Sequence, residues 1–225
     1  MFWDLHVQAE PERAGEMAKK LGLKGIGIAV PWDERAKIPE LARRAKSVSR
    51  ADVALGIELQ GGPNEIQKLA KSVRRQHELI LVRGGTEEIN RAALETPEVD
   101  ILVNPNLGNG ECGINHILAR LGAKNRVAVC FELREIIQSY KKTRSQLLTS
   151  YLETARFVRK YKCPFVLSAG AASEWDMRSP SELIAFGKFL GFRENECRRA
   201  LSGEIVKENR KRLSGKWIMP GVEME

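Results

Sequence analysis

Seven short apolar runs recur along this chain, each followed by a stretch that suits a helix, and that alternation limits the fold more than any other feature. The runs occupy residues 2–7, 25–30, 53–59, 79–82, 101–103, 126–131 and 165–167. Short runs with almost no polar interruption suit strands covered on both faces. Strands separated by helices call for parallel β-α units with right-handed crossovers. Helices are expected over 10–21, from after Pro31-Trp32 to about Ser47, and over 65–75, 87–94, 114–121 and 143–161. The clearest punctuation lies between Cys163 and Gly191. There Ser179 and Glu182 form a capping box, Pro180 takes the first helical position and Gly191 is placed to stop the helix. Two basic helical segments, about 194–213, close the chain. A doubly wound open sheet and a barrel both accommodate this order. Length and unit count favour an α/β, TIM-barrel-like fold, incomplete with seven parallel strands against the usual eight. No composition break marks a linker, so 1–225 is expected to be one domain.

Lysine and arginine outnumber aspartate and glutamate 37 to 29, giving a formal charge of +8. Such an excess favours an anionic partner, nucleic acid before a membrane surface. Cys112, Cys130, Cys163 and Cys197 include no C-x-x-C pair, which argues against a zinc site or a disulfide framework. Cys130 and Cys163 fall in or beside apolar strands, as small core hydrophobes would. The N-terminus has charged Asp4 before any apolar h-region could form, and no apolar run approaches the roughly 20 residues of a membrane span. A cytoplasmic location and no membrane partner are therefore expected.

In a barrel, the C-terminal ends of the strands share the face where active sites lie. The residues read at those ends are Gln8, Pro31-Trp32, Gln60 to Gly62, Arg83 to Gly85, Asn104 to Asn106, Glu132 to Arg134 and Ser168 to Gly170. One carboxylate and no histidine among them make a poor catalytic set. Asp4-Leu5-His6-Val7 resembles the opening motif of the polymerase-and-histidinol-phosphatase superfamily of barrel phosphoesterases. That metal centre needs a second histidine two residues on, where this chain has Gln8, and the chain holds three histidines in all. Gly108 to Gly113 spells G-x-G-x-x-G, with Glu132 about 20 residues further on, but it sits in the fifth unit and four residues beyond its strand. It reads as a loop that caps a helix. Basic residues crowd the helices, with Lys207, Arg210 and Lys211 on one helical face, and they extend into loops at Arg83, Arg134 and Arg178. In loops, arginine is suited to gripping phosphate with both arms of its guanidinium.

Several segments, taken in order, resemble one family: the barrel-shaped protein subunit of archaeal and eukaryotic ribonuclease P, component 3 in archaea. They are Gly113-Ile-Asn-His116-Ile-Leu-Ala, Lys124-Asn-Arg-Val-Ala-Val-Cys-Phe131 leading to Leu133-Arg134, the long helix with Lys160-Tyr-Lys, and the block Ser168 to Leu183 with Trp175, Asp176 and Arg178. The resemblance spans essentially the whole chain. It implies a non-catalytic subunit that assists RNA-catalysed removal of the 5′ leader of precursor tRNA. It implies no catalytic residue, no metal ligand and no cofactor in the polypeptide, with Mg2+ needed by the RNA subunit. The implied partners are ribonuclease P RNA, the small protein component 2 in a heterotetramer, and the other protein subunits. RNA contact is expected from Arg91, His116, Lys124, Arg178 and Arg198, each at or beside a family-like segment. The rivals are a phosphoesterase with a degenerate metal site and an RNA-binding barrel unconnected with ribonuclease P. For Arg178 the structural alternative is an ion pair with Asp176 or Glu174, and for His116 a helix cap.

Overall fold

The computed structural model describes residues 1–47, 51–107 and 110–214, and the backbone of 217–219 and 222–223. The seven apolar runs are strands β1 (Trp3–Val7), β2 (Gly25–Pro31), β3 (Asp52–Leu59), β4 (Leu79–Arg83), β5 (Ile101–Val103), β6 (Ala128–Glu132) and β7 (Phe165–Ser168). They lie side by side in sequence order, every neighbouring pair parallel. Helices α1 (Pro11–Leu21), α2 (Ile38–Ser47), α3 (Pro63–Val73), α4 (Glu87–Glu95), α5 (His116–Asn125), α6 (Leu133–Gln138) and α7 (Lys141–Tyr161) connect them, and α8 (Pro180–Phe189), α9 (Glu194–Ala200) and α10 (Glu204–Leu213) follow β7. The sheet curls into a nearly closed, incomplete barrel with helices around it.

The strand period of two splits the core into two layers. Leu5, Ala54, Leu79, Leu81, Ile101, Val103, Ala128, Cys130 and Val166 pack inside the barrel. Their neighbours, such as Ile57, Ile80, Val82, Leu102, Val129 and Phe131, face the helices. Continuous apolar runs were required because both faces are buried. Cys130 and Cys163 are buried free thiols, as their apolar settings predict.

The seam between first and last strands closes by a side chain rather than a full ladder. Val7 bridges Ala171, and the Gln8 N–H donates to the Ala171 carbonyl at 2.8 Å. Below that point the buried Asp4 carboxylate spans the gap, accepting from Ser168 Oγ at 2.5 Å and from the Ala169 N–H at 3.0 Å.

The opposite end is stoppered by α10, whose Val206 joins the inner layer beside Trp3. Trp3 lies so close to two glycines that a Cβ would stand 2.6 Å from its ring at Gly25 and 2.4 Å at Gly203, where φ is +69°. Arg210 is not on a free basic face with Lys207 and Lys211. It grips Asp52 at 2.7 Å and Glu78 at 2.5 Å, which ties α10 to β3 and the approach to β4. The Ser179–Glu182 capping box forms as expected, the Ser179 N–H donating to Glu182 Oε2 at 2.8 Å.

Five short elements were not legible: α6, the 3-10 helices Trp32–Lys37 and Glu174–Asp176, and the antiparallel strands β8 (Trp217–Met219) and β9 (Val222–Glu223). The start of the G-x-G-x-x-G stretch, Gly108, lies outside the described residues. Among the described residues no helix is long and apolar enough to cross a membrane.

Candidate nucleic-acid interface

The mouth of the barrel, where enzymes of this fold keep their chemistry, holds a buried charge cluster. It is richer than the strand-end reading allowed, because His6 and Glu58 lie just inside the ends of β1 and β3 and converge with Glu132 on β6. His6 Nε2 donates to Glu58 Oε2 at 3.0 Å, and His6 Nδ1 donates to Glu132 Oε1. Gln8 Nε2 donates to Glu58 Oε2 at 3.1 Å, while Arg83 Nε takes Glu58 Oε1. Burial alone would lower the His6 pKa, but the two carboxylates more than offset it and push it up to about 10. Burial works against ionisation of Glu58 as well, and His6 and Arg83 overcome it to hold that carboxyl at about 2. Alongside, burial and the neighbouring Glu132 raise the pKa of Glu135, which accepts from the Tyr151 hydroxyl at 2.7 Å.

This arrangement is an ion-pair lock. A charged imidazole with both N–H groups committed to carboxylates has no lone pair to offer a metal. Among the described residues no group of three or more His, Cys, Asp or Glu side chains is disposed to hold one. Gln8, at the position where a second histidine would stand, serves as a hydrogen-bond donor to Glu58.

The outer surface is different. Helices α5 and α7 pack side by side, and Arg120 and Lys124 on α5, Arg126 just after it, and Arg156 and Lys160 in the C-terminal half of α7 are all exposed. No carboxylate pairs with any of these five among the described residues. The half-buried Tyr161 ring lies between the two helices, with the Arg120 guanidinium 4.9 Å and Lys160 Nζ 5.5 Å from its centre. Such stacking holds an arginine's plane without using its donors. Unpaired cations on two adjacent helices make a surface able to follow a line of phosphates.

The five residues expected to touch RNA fall in two regions. Exposed His116 opens α5 and exposed Lys124 sits near its other end. Arg91, on the adjacent α4, stands between Glu87 at 3.8 Å and Glu95 at 3.6 Å. Asn115 caps α5 and His116 does not, since the Ile117 and Leu118 N–H groups donate to Asn115 Oδ1. Arg178 and Arg198 lie beyond β7, away from those three. Arg178 donates to the carbonyls of Trp175 and Met177 at 3.1 and 2.8 Å, and it does not form the ion pair with Asp176 or Glu174 considered from sequence. Asp176 instead approaches Arg134 at 3.9 Å, and Glu174 approaches Arg13 at 3.6 Å. Arg198 is held by Glu194 at 2.8 Å.

Comparison with known proteins decides the family. A family model described as RNase P subunit p30 matches residues 1–214. The chain belongs to the RNase P subunit p30 family. Among its curated relatives, ribonuclease P protein component 3 of Methanosarcina mazei is 35% identical, covering 93% of this chain and 90% of the relative. The protein of that name from Haloarcula marismortui is 34% identical over 89% of this chain and 85% of its own. A chain in a cryo-EM structure of archaeal ribonuclease P with mature tRNA superposes with a TM-score of 0.84 at 25% identity, covering 99% of this chain and 97% of that one. The crystal structure of an uncharacterised protein, at a TM-score of 0.57 and 12% identity, shares the fold alone.

For this p30-family chain, sequence reading missed Glu58 and, Lys124 apart, the α5–α7 surface. Glu58 had a signal, a charge inside the otherwise apolar run Ala54 to Leu59. The basic surface had none, because its residues come from two helices whose adjacency only the fold supplies.

Proposed function

We propose that the protein serves as a non-catalytic subunit of the ribonuclease P ribonucleoprotein, binding its RNA and assisting RNA-catalysed removal of the 5′ leader of precursor tRNA. The observation that carries this is the whole-chain likeness to a chain of archaeal ribonuclease P, at a TM-score of 0.84. The ion-pair lock at the barrel mouth agrees with a polypeptide that supplies no catalytic group. The small protein component 2 is its partner in this reading, as a heterotetramer, alongside the other protein subunits. Mg2+ is required by the RNA, and the assembly works in the cytoplasm.

RNA contact is assigned first to His116 and Lys124, which are exposed and without a carboxylate partner among the described residues. Arg91, Arg178 and Arg198 join them at a lower contribution, since each must share or give up a present partner. The test is 5′ cleavage of precursor tRNA by the RNA subunit at modest magnesium, with component 2 alone and with this protein added. Stimulation that needs both proteins supports the reading. No stimulation in a correctly folded mixture sinks it.

A further inference from the structure

The end of the molecule away from the ion-pair lock carries a groove that none of the five expected residues lines. It opens between the C-terminal end of α7, the start of β7 and helix α9, with a cavity volume of about 490 Å³. Arg159, Lys162, Arg193 and Arg199 stand on its walls, all exposed. None of the four has a carboxylate partner among the described residues. Two carboxylates, Glu196 and Glu204, also line it, and Glu196 Oε2 is occupied by the Arg193 backbone N–H at 2.7 Å. A shallow depression alongside shares Arg159, Lys162 and Arg193 and adds Arg156 and Lys160, so the groove is continuous with the α5–α7 surface.

Its floor is aromatic. Phe165 and Phe192 lie face to face, ring centres 3.8 Å apart and planes within 15°, and both reach the groove. Phe192 is buried, whereas Phe165 remains half-exposed. Half-exposed aromatic surface ringed by unpaired cations matches the chemistry of a single-stranded nucleotide, with its flat apolar base and charged phosphates. The volume falls in the roughly 300–1,000 Å³ range of small-ligand sites. That admits one unstacked nucleotide and excludes a duplex, which would meet the rim with phosphates but could not reach the floor.

Resting on the subunit reading above, we propose that this groove binds an unpaired nucleotide of RNA, its base against Phe165 and its flanking phosphates on Arg159, Lys162, Arg193 and Arg199. An acidic protein segment is the competing occupant. Continuity with the cationic surface favours RNA, because one strand can run from the helices into the groove.

The test measures fluorescence anisotropy of a labelled single-stranded RNA oligomer with the full chain. Arg193→Gln/Arg199→Gln should weaken binding about tenfold and flatten the slope of log affinity against log salt by about 1.4, two phosphates at roughly 0.7 each. Phe165→Leu should weaken it about fivefold without changing that slope, and the difference should vanish on an abasic oligomer. Duplex RNA, which meets the rim but not the floor, should bind Phe165→Leu as it binds wild type. If the folded double variant keeps wild-type affinity and slope, the proposal is overturned. Loss of binding to a ribonuclease P protein partner with RNA affinity intact would overturn it in favour of a protein. Wild-type chain without RNA affinity would overturn the subunit reading too, so the two failures are distinct. Should Phe165→Leu fail to fold, Lys162→Asn, at a residue with φ of +54°, supplies a second exposed charge removal.

Discussion

Replacing His6 by glutamine tests whether the barrel mouth is an ion-pair lock. His6 has a pKa near 10 in the folded chain against 6.5 as its ordinary value. The stability it contributes is therefore complete below about pH 6.5 and is lost as pH climbs towards 10. Within that window the folded state holds one more proton than the unfolded state, and stability falls by about 1.4 kcal/mol per pH unit. The full shift corresponds to about 5 kcal/mol from the His6 side, whereas the fall of Glu58 from 4.5 to about 2 corresponds to about 3 kcal/mol. The figures differ because they describe overlapping contacts, with His6 shared between two carboxylates and Glu58 between two cations. The lower one is the safer guide to what the variant loses at pH 7, about 3 kcal/mol, in line with breaking a buried pair. Urea denaturation of both proteins at pH 7 and 8.5 should show the wild-type advantage shrinking by about 2 kcal/mol. Buried thiols, Cys163 pushed up to about 12 and Cys197 to about 11, also make stability fall with pH, but equally in both proteins, so the difference removes them. Parallel pH profiles for wild type and His6→Gln would refute a charged His6.

At the barrel seam, Asp4→Ala leaves the Ser168 hydroxyl and Ala169 N–H without their acceptor and should cost about 2–3 kcal/mol by thermal or urea unfolding. A wild-type midpoint would show that the β1–β7 closure does not depend on that carboxylate. Val206→Asp places a charge in the inner layer and should prevent stable folding, while Val206→Ala should cost about 1–2 kcal/mol; equal stabilities would deny α10 its role as stopper. Among the four free thiols, only half-buried Cys112 should react with a thiol reagent in the native state. Rapid labelling of a second cysteine below the unfolding transition would contradict the packing. Lys124→Gln should reduce stimulation of precursor tRNA cleavage several-fold with no change in melting temperature, as expected of an exposed phosphate contact.

The strands were legible because burial on both faces wrote them as uninterrupted apolar runs, and six of the seven helices between them announced themselves by length or caps. The exception, α6, has six residues and takes Glu132, the last residue of β6, as its N-cap without a side-chain cap bond, so no separate start signal exists. Charge proved the hardest property to read. Spacing put Lys207, Arg210 and Lys211 on one face, but Arg210 finds Asp52 and Glu78 more than 130 residues away in sequence. Arg178 was expected to reach phosphate or to pair with Asp176 or Glu174, yet two carbonyls of its own loop hold it. Whether a basic side chain is available to a ligand depends on neighbours brought by the fold, and a linear pattern does not contain them.

The chemistry of the barrel mouth supports the proposal that this p30-family chain acts through its exterior. To bind a metal there, His6 must give up a proton held with a pKa near 10. At pH 7 that costs about 4 kcal/mol before any bond forms. The incoming cation would also meet the Arg83 guanidinium already seated on Glu58. The charges that could have built a catalytic centre instead satisfy one another and hold β1, β3, β4 and β6 together at their ends. What remains for a partner lies outside: unpaired cations on α5 and α7, and a cationic groove floored by aromatic rings. Such a surface needs no activated group, because each phosphate it neutralises contributes separately through released counterions. A barrel locked at its mouth and basic on its flank is therefore equipped to hold an RNA that carries out the reaction itself.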